Sequence, residues 1–283
     1  MFGFQLNKLS KNEQKKESFL LFDYSNKIKT SVENLEFDFN GLWVDVEQLK
    51  SSFNSIDRLI LANWKCCFLN CSYCYEQKTD DLNTVEHFDI FPVVQQLIDS
   101  GLVKKETQIC FSCGDATLHP EFDKLMYFLI NYGMKDIVVH TSAMRFCQSI
   151  ADAMISNIIK ITISLDSGCP YIYEKIKGIN KYDIAVANIK RYLEFEDKSS
   201  KKVILNYVLC NGVNDNKKEV LDWFMFSRNL GVKKLSIDID EKWYNEVKNS
   251  VPYYLSELIM FVKELSDINN FEIEFTSKIE SLI

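Results

Sequence analysis

Cys67, Cys71 and Cys74 are the residues best placed to do chemistry. They lie in KCCFLNCSYCYEQ at the spacing C-x3-C-x2-C, with aromatic Tyr73 just before the last cysteine. A [4Fe–4S] cluster held by three thiolates keeps one iron open to another ligand, whereas an electron-transfer cluster takes four thiolates. The same residues could serve a zinc site completed from elsewhere in the chain, or could be grouped core thiols. Cys66 stands at the wrong spacing from Cys71 and reads as structural.

Further polar groups fall at the ends of apolar runs. CGDATLHP at 113–120 places Gly114 and Asp115 after one such run, and VVHTSAM places Thr141 and Ser142 after the next. In KITISLDSGCP, two-residue alternation puts Thr162, Ser164 and Asp166 on one face of a strand. Polar groups on a buried face are costly without partners, so a polar ligand such as a ribose would account for them.

Taken together these motifs resemble the radical S-adenosylmethionine superfamily. Its motif is C-x3-C-x-φ-C with an aromatic φ, here Cys67, Cys71 and Cys74 with Tyr73 as φ, and the resemblance implies that Tyr73 is among the cofactor-binding residues. The resemblance implies that these cysteines bind a [4Fe–4S] cluster and that S-adenosylmethionine chelates the open iron. One electron then cleaves the cofactor to methionine and a 5′-deoxyadenosyl radical, which abstracts hydrogen from a substrate. CGDATLHP stands where the family has G-G-E-P-T-L-H-P, so Gly114 and Asp115 are expected to hold the cofactor's amino group. Cys113, Asp115 and Ala116 depart from the family's Gly, Glu and Pro. Ser142 replaces the Asn of T-N-G as a neighbour of the cofactor carboxylate, and Ser164 and Asp166 match the ribose-contacting I-S-L-D element. Lys177-Gly178 occupies the place of an Arg-Gly pair, but a lysine cannot grip a carboxylate with two parallel bonds. The resemblance covers residues 57–240. It also implies an electron donor such as flavodoxin or ferredoxin.

Positioning these residues requires a set of parallel strands. Six apolar, β-branched runs, 58–64, 107–113, 136–141, 160–166, 202–210 and 233–239, alternate with segments of helical periodicity. Val93, Val94 and Leu97 mark one helix, Phe122, Leu125, Met126 and Leu129 a second, and Val220, Trp223 and Phe224 a third. The expected fold is α/β, a partial (β/α)6 barrel with its site at the carboxyl ends of the strands. The domain reading is an N-terminal extension over 1–56, the barrel core over 57–240, and a C-terminal extension over 241–283. In the first, Asn40-Gly41 between alternating runs is expected to turn a β-hairpin. In the last, Leu255, Leu258, Ile259 and Val262 mark a helix, and FEIEF at 271–275 reads as a strand.

Composition narrows the function. Of 283 residues 47% are hydrophobic, enough for a substantial core, and a net charge of −7 gives no broad field for nucleic acid. No apolar run could span a membrane and the start lacks a secretory signal, so a cytoplasmic protein is expected. Nine cysteines, an odd number with none after Cys210, fit metal or redox chemistry better than a disulfide scaffold, and argue against a second cluster.

YCYE and TLHP lean the resemblance toward enzymes that modify peptides and proteins. A small-molecule substrate such as a sugar, nucleotide or amino acid is the alternative, and a non-enzymatic iron–sulfur module a more distant one. Asn206, Val208 and Cys210 alternate along one strand, which would set Cys210 at the substrate rim as a candidate hydrogen-atom donor.

Overall fold

The structure is a computed structural model that describes residues 19–23, 27–30, 36–38, 46–62, 67–74, 90–197 and 200–283. These residues fall into two compact units, one within 16–68 and 76–161, the other within 69–75 and 162–283.

In the first unit, β1 (Phe19–Asp23), β2 (Lys27–Thr30) and β3 (Glu36–Asp38) form an antiparallel ladder. The expected turn at Asn40-Gly41 lies outside the described residues; the ladder that is described precedes it. The chain resumes at Val46 as α1 (Val46–Ser52). β1 also pairs in parallel with β4 (Arg58–Ala62), which pairs in turn with β5 (Gln108–Phe111), and β5 with β6 (Ile137–Thr141). The helices after these strands follow the expected apolar stripes. α2 (Phe91–Asp99) buries Val93, Val94 and Leu97, and α3 (Phe122–Tyr132) buries Phe122, Leu125, Met126 and Leu129. Proline in the first turn of α2 suits a position whose N–H has no partner within the helix. Gly133, at φ 89°, ends α3 in the left-handed conformation that a side chain would oppose. α4 (Gln148–Ile155) completes the unit.

The division falls within β7 (Ile159–Ser164). In the second unit, α5 (Pro170–Lys177) and α6 (Tyr182–Leu193) lead to β8 (Val203–Leu209), and α7 (Lys217–Leu230) leads to β9 (Lys234–Ile239). α8 (Glu241–Val247), α9 (Tyr253–Asn269), β10 (Glu272–Phe275) and α10 (Ser277–Glu280) follow. β8, β9 and β10 are parallel, with Asn206 opposite Ser236 and Ser236 opposite Glu274. FEIEF thus adds one strand to the six read from the sequence. Trp223 on α7 packs against Tyr207 of β8, and Phe224 against Phe271. Burying side chains of this size contributes about 1.5–3 kcal/mol each, and it holds α7 on the sheet. Among the described residues no helix is long and apolar enough to cross a membrane.

One local expectation fails. β7 ends at Ser164, and Asp166 takes φ 60°, so strand alternation does not carry from Thr162 and Ser164 to Asp166. Asp is among the few non-glycine residues that visit this left-handed conformation, and here long-range bonds to its carboxylate hold it as the chain turns out of the strand.

Candidate functional site

In the second unit the cysteine loop docks on the carboxyl end of α5. The Asn70 and Ser72 amides donate to the carbonyls of Lys177 and Ile176, both at 2.8 Å. Gly178, at φ 70°, allows this approach, since a Cβ there would stand 2.6 Å from the Asn70 Cβ and 2.7 Å from its carbonyl oxygen. Tyr73 turns its hydroxyl inward, donating to Asp166 Oδ2 at 2.7 Å and accepting from Lys177 Nζ at 2.7 Å. Lys177, only 1% exposed, also forms an ion pair with Asp166, which is fully buried.

The electrostatics hold Lys177 charged and Tyr73 neutral. Burial alone would push the Lys177 ammonium down, but the facing Asp166 carboxylate outweighs it and holds the pKa above its ordinary value. Burial, then Asp166, pushes the Tyr73 phenol well up, so Tyr73 remains a donor. Asp166 Oδ1 accepts from the Val208 amide at 2.9 Å, and its backbone carbonyl accepts from Asn214 Nδ2 at 3.0 Å. Both carboxylate oxygens are therefore engaged by protein groups. Ser164 is half-buried and receives Asn206 Nδ2 at 3.4 Å.

Cys210 stands at the carboxyl end of β8, where alternation sets it, but it is buried. It lies one residue past β8, 4% exposed, in an apolar cluster with Ile176 and Val208 against which Tyr73, Ile172 and Val213 pack. Its Sγ donates to the Val208 carbonyl at 3.4 Å, and burial pushes its thiol up. The cause is Asn214, whose side chain caps the end of β8 by accepting from the Cys210 amide at 2.7 Å and donating to Val208 O at 2.9 Å. A buried asparagine in NGVND carries no sequence signal for this role.

The first unit gathers the other candidates around Asp115, 1% exposed. Its Oδ1 accepts from Thr117 N at 3.2 Å, Thr117 Oγ1 at 2.6 Å and Thr141 Oγ1 at 2.9 Å. Its Oδ2 accepts from the Ser142 amide at 2.9 Å and from the Ser142 hydroxyl. Asp115 thus ties the loop after β5 to the end of β6. Cys113 and Gly114, at φ 58° and 63°, turn the chain into this loop. Arg145 adds a second tie. It donates to Thr117 O at 2.9 Å and pairs with Asp123, which also accepts from Ser149 at 2.5 Å.

The described cysteines are thiols, not disulfides. Burial pushes the Cys71 thiol up while Lys177 opposes the rise, so a bound metal would drive its deprotonation. Three sulfur donors on one loop are soft ligands of the kind that iron–sulfur clusters take. Among the described residues no three His, Cys, Asp or Glu stand together as a metal site. The fit of a cluster to these cysteines is therefore one of donor chemistry and spacing.

Comparison with known proteins agrees with this chemistry. GTP 3′,8-cyclase of Haemophilus influenzae is 28% identical over 163 residues, which cover 56% of this chain and 46% of the relative. The chain thus spans about half the length of the curated relatives it matches. Among solved structures, Streptococcus suis SuiB bound to its precursor peptide SuiA aligns with a TM-score of 0.59 at 17% identity, over 83% of this chain and 53% of that one. Native anSMEcpe with bound AdoMet aligns at 0.52 and 17% identity, over 77% and 63%. These likenesses establish the α/β fold that those enzymes share. The Radical SAM superfamily profile matches residues 64–224, which run from the cysteine loop into α7 and make up more than half of the chain. The chain belongs to the radical SAM superfamily, whose members use a [4Fe–4S] cluster and S-adenosylmethionine.

Proposed function

We propose that Cys67, Cys71 and Cys74 bind the [4Fe–4S] cluster and that the enzyme abstracts hydrogen from a peptide or protein substrate. When bound, the reduced cluster supplies the electron that cleaves S-adenosylmethionine to methionine and a 5′-deoxyadenosyl radical, which becomes 5′-deoxyadenosine on taking a substrate hydrogen. This chain's own residues shape the surroundings. Asp115 fixes the loops that carry Gly114 and Ser142, whose remaining polar groups are proposed to face the cofactor's amino acid end. Ser164 and Asn206 offer a hydroxyl and an amide for its ribose. Asp166 is proposed to act from behind, holding Tyr73. A flavodoxin or ferredoxin would supply the electron, and the cytoplasm suits its reduced thiols.

Support for the peptide reading comes from the YCYE and TLHP elements, which lean the resemblance toward enzymes that modify peptides and proteins, and from a fold shared with Streptococcus suis SuiB, solved with its precursor peptide SuiA. A nucleotide is the second reading, favoured by the 28% identity to a protein named GTP 3′,8-cyclase.

Anaerobically reconstituted protein with dithionite and S-adenosylmethionine is expected to release 5′-deoxyadenosine. Variants Cys67→Ala, Cys71→Ala and Cys74→Ala should each lose the cluster and this activity. With deuterated GTP the 5′-deoxyadenosine should carry no deuterium, whereas a deuterated substrate peptide should transfer it. Deuterium arriving from GTP would overturn the peptide reading.

A further inference from the structure

Lys177 stands where the resembled family has arginine, yet its ammonium already faces two partners inside the protein. Asp166 and the Tyr73 hydroxyl engage it at a position only 1% exposed, and its backbone carbonyl holds the Asn70 amide. Tyr73 lies between Cys71 and Cys74, and its hydroxyl bonds to both Asp166 and Lys177. The Tyr73 hydroxyl thus connects the buried charges to the cysteine loop.

We propose that Asp166, Lys177 and Tyr73 form a buried clamp that docks the cysteine loop on the end of α5, so that Lys177 is a positioning residue acting on the cluster ligands through Tyr73, not a ligand of the cofactor. The proposal rests on the assignment of Cys71 and Cys74 as cluster ligands. The physical asymmetry is that an ion pair with both partners present is nearly neutral in cost, whereas removing one leaves a buried charge without its counterion. The Tyr73 hydroxyl couples that penalty to the loop, because the loop cannot lift without breaking its bonds to both charged groups.

The test uses the full-length reconstituted protein and reads hydrogen exchange at the Asn70 and Ser72 amides, iron loss to a ferrous chelator, and the change in the reduced cluster's EPR signal when S-adenosylmethionine is added. Tyr73→Phe should speed exchange at Asn70 and Ser72 about tenfold and leave α7 amides unchanged. Lys177→Met should speed it by about a hundredfold or more, with iron lost correspondingly faster, and Lys177→Arg should recover most of the protection. If Lys177→Met does not fold, Tyr73→Phe and the double variant Asp166→Asn/Lys177→Met, which removes both charges, decide the matter. Unchanged exchange in Tyr73→Phe overturns the proposal. So does a Lys177→Met protein that keeps its exchange pattern but loses the EPR response to S-adenosylmethionine, because Lys177 would then be gripping the cofactor. A wild-type protein with the expected exchange pattern but no 5′-deoxyadenosine release would instead refute the functional reading while leaving the clamp intact.

Discussion

Asp115 and Asp166, each just past a strand end, both have their carboxylate oxygens engaged by protein donors. Each was legible from sequence as an acidic residue in a motif, but not as one whose oxygens are taken up by protein donors. The missing information is three-dimensional: Thr141 and Ser142 reach Asp115 from 26 and 27 residues away, and Lys177 and Tyr73 reach Asp166 from elements that no periodicity links. For Asp115 the consequence is measurable. Asp115→Ala would strand buried donors on Thr117, Thr141 and Ser142, and at about 1–3 kcal/mol for each unsatisfied group it should lower stability to urea by at least about 3 kcal/mol. Asp115→Asn keeps one acceptor oxygen and should fall between. If Asp115→Ala weakened S-adenosylmethionine binding while stability stayed at the wild-type level, Asp115 would be facing the cofactor after all.

At the scale of elements, the strands and the helices with strong apolar stripes follow from the sequence because burial dictates both period and face. β10 is a case in point, since FEIEF has the β-branched and aromatic character that fits beside β9. Element ends are less legible. β7 stops at Ser164 because Asp166 adopts φ 60°, and Cys210 leaves β8 because Asn214 caps it; both depend on side-chain bonds made after the strand is over. The α5 terminus joins both levels. Lys177-Gly178 looks in the sequence like an imperfect match to a family motif, yet Gly178 is required here by the close approach of Asn70. Gly178→Ala must place a Cβ 2.6 Å from the Asn70 Cβ at φ 70°. Left-handed backbone strain and the clash together should cost about 2 kcal/mol or more, seen as a lower melting temperature and faster iron loss. An unchanged melting temperature would mean that the loop does not pack on α5.

Across the whole molecule, the distribution of cysteines limits how much iron chemistry the chain can support. Nine cysteines are present and none follows position 210, so residues 211–283 contribute no thiolate. Outside 66–74, those described are dispersed. Cys110 and Cys113 pack on Ile60 and Ala62, Cys147 precedes α4 and donates to Thr117 O at 3.7 Å, and Cys210 sits in the cluster beneath Tyr73. Such packed thiols, Cys147 and Cys210 buried and Cys110 and Cys113 partly so, behave as small apolar side chains, and a second cluster would require several of them to leave their packing and converge. The expected composition after anaerobic reconstitution is therefore about four irons and four sulfides per chain. Cys110→Ala and Cys147→Ala should retain that content with some loss of stability, since each removes only a packing group. Cys210→Ala should likewise keep the cluster and, given its burial, the rate of 5′-deoxyadenosine release. About eight irons per chain, or a halving of iron content in Cys110→Ala or Cys147→Ala, would show that the dispersed thiols converge on a second cluster.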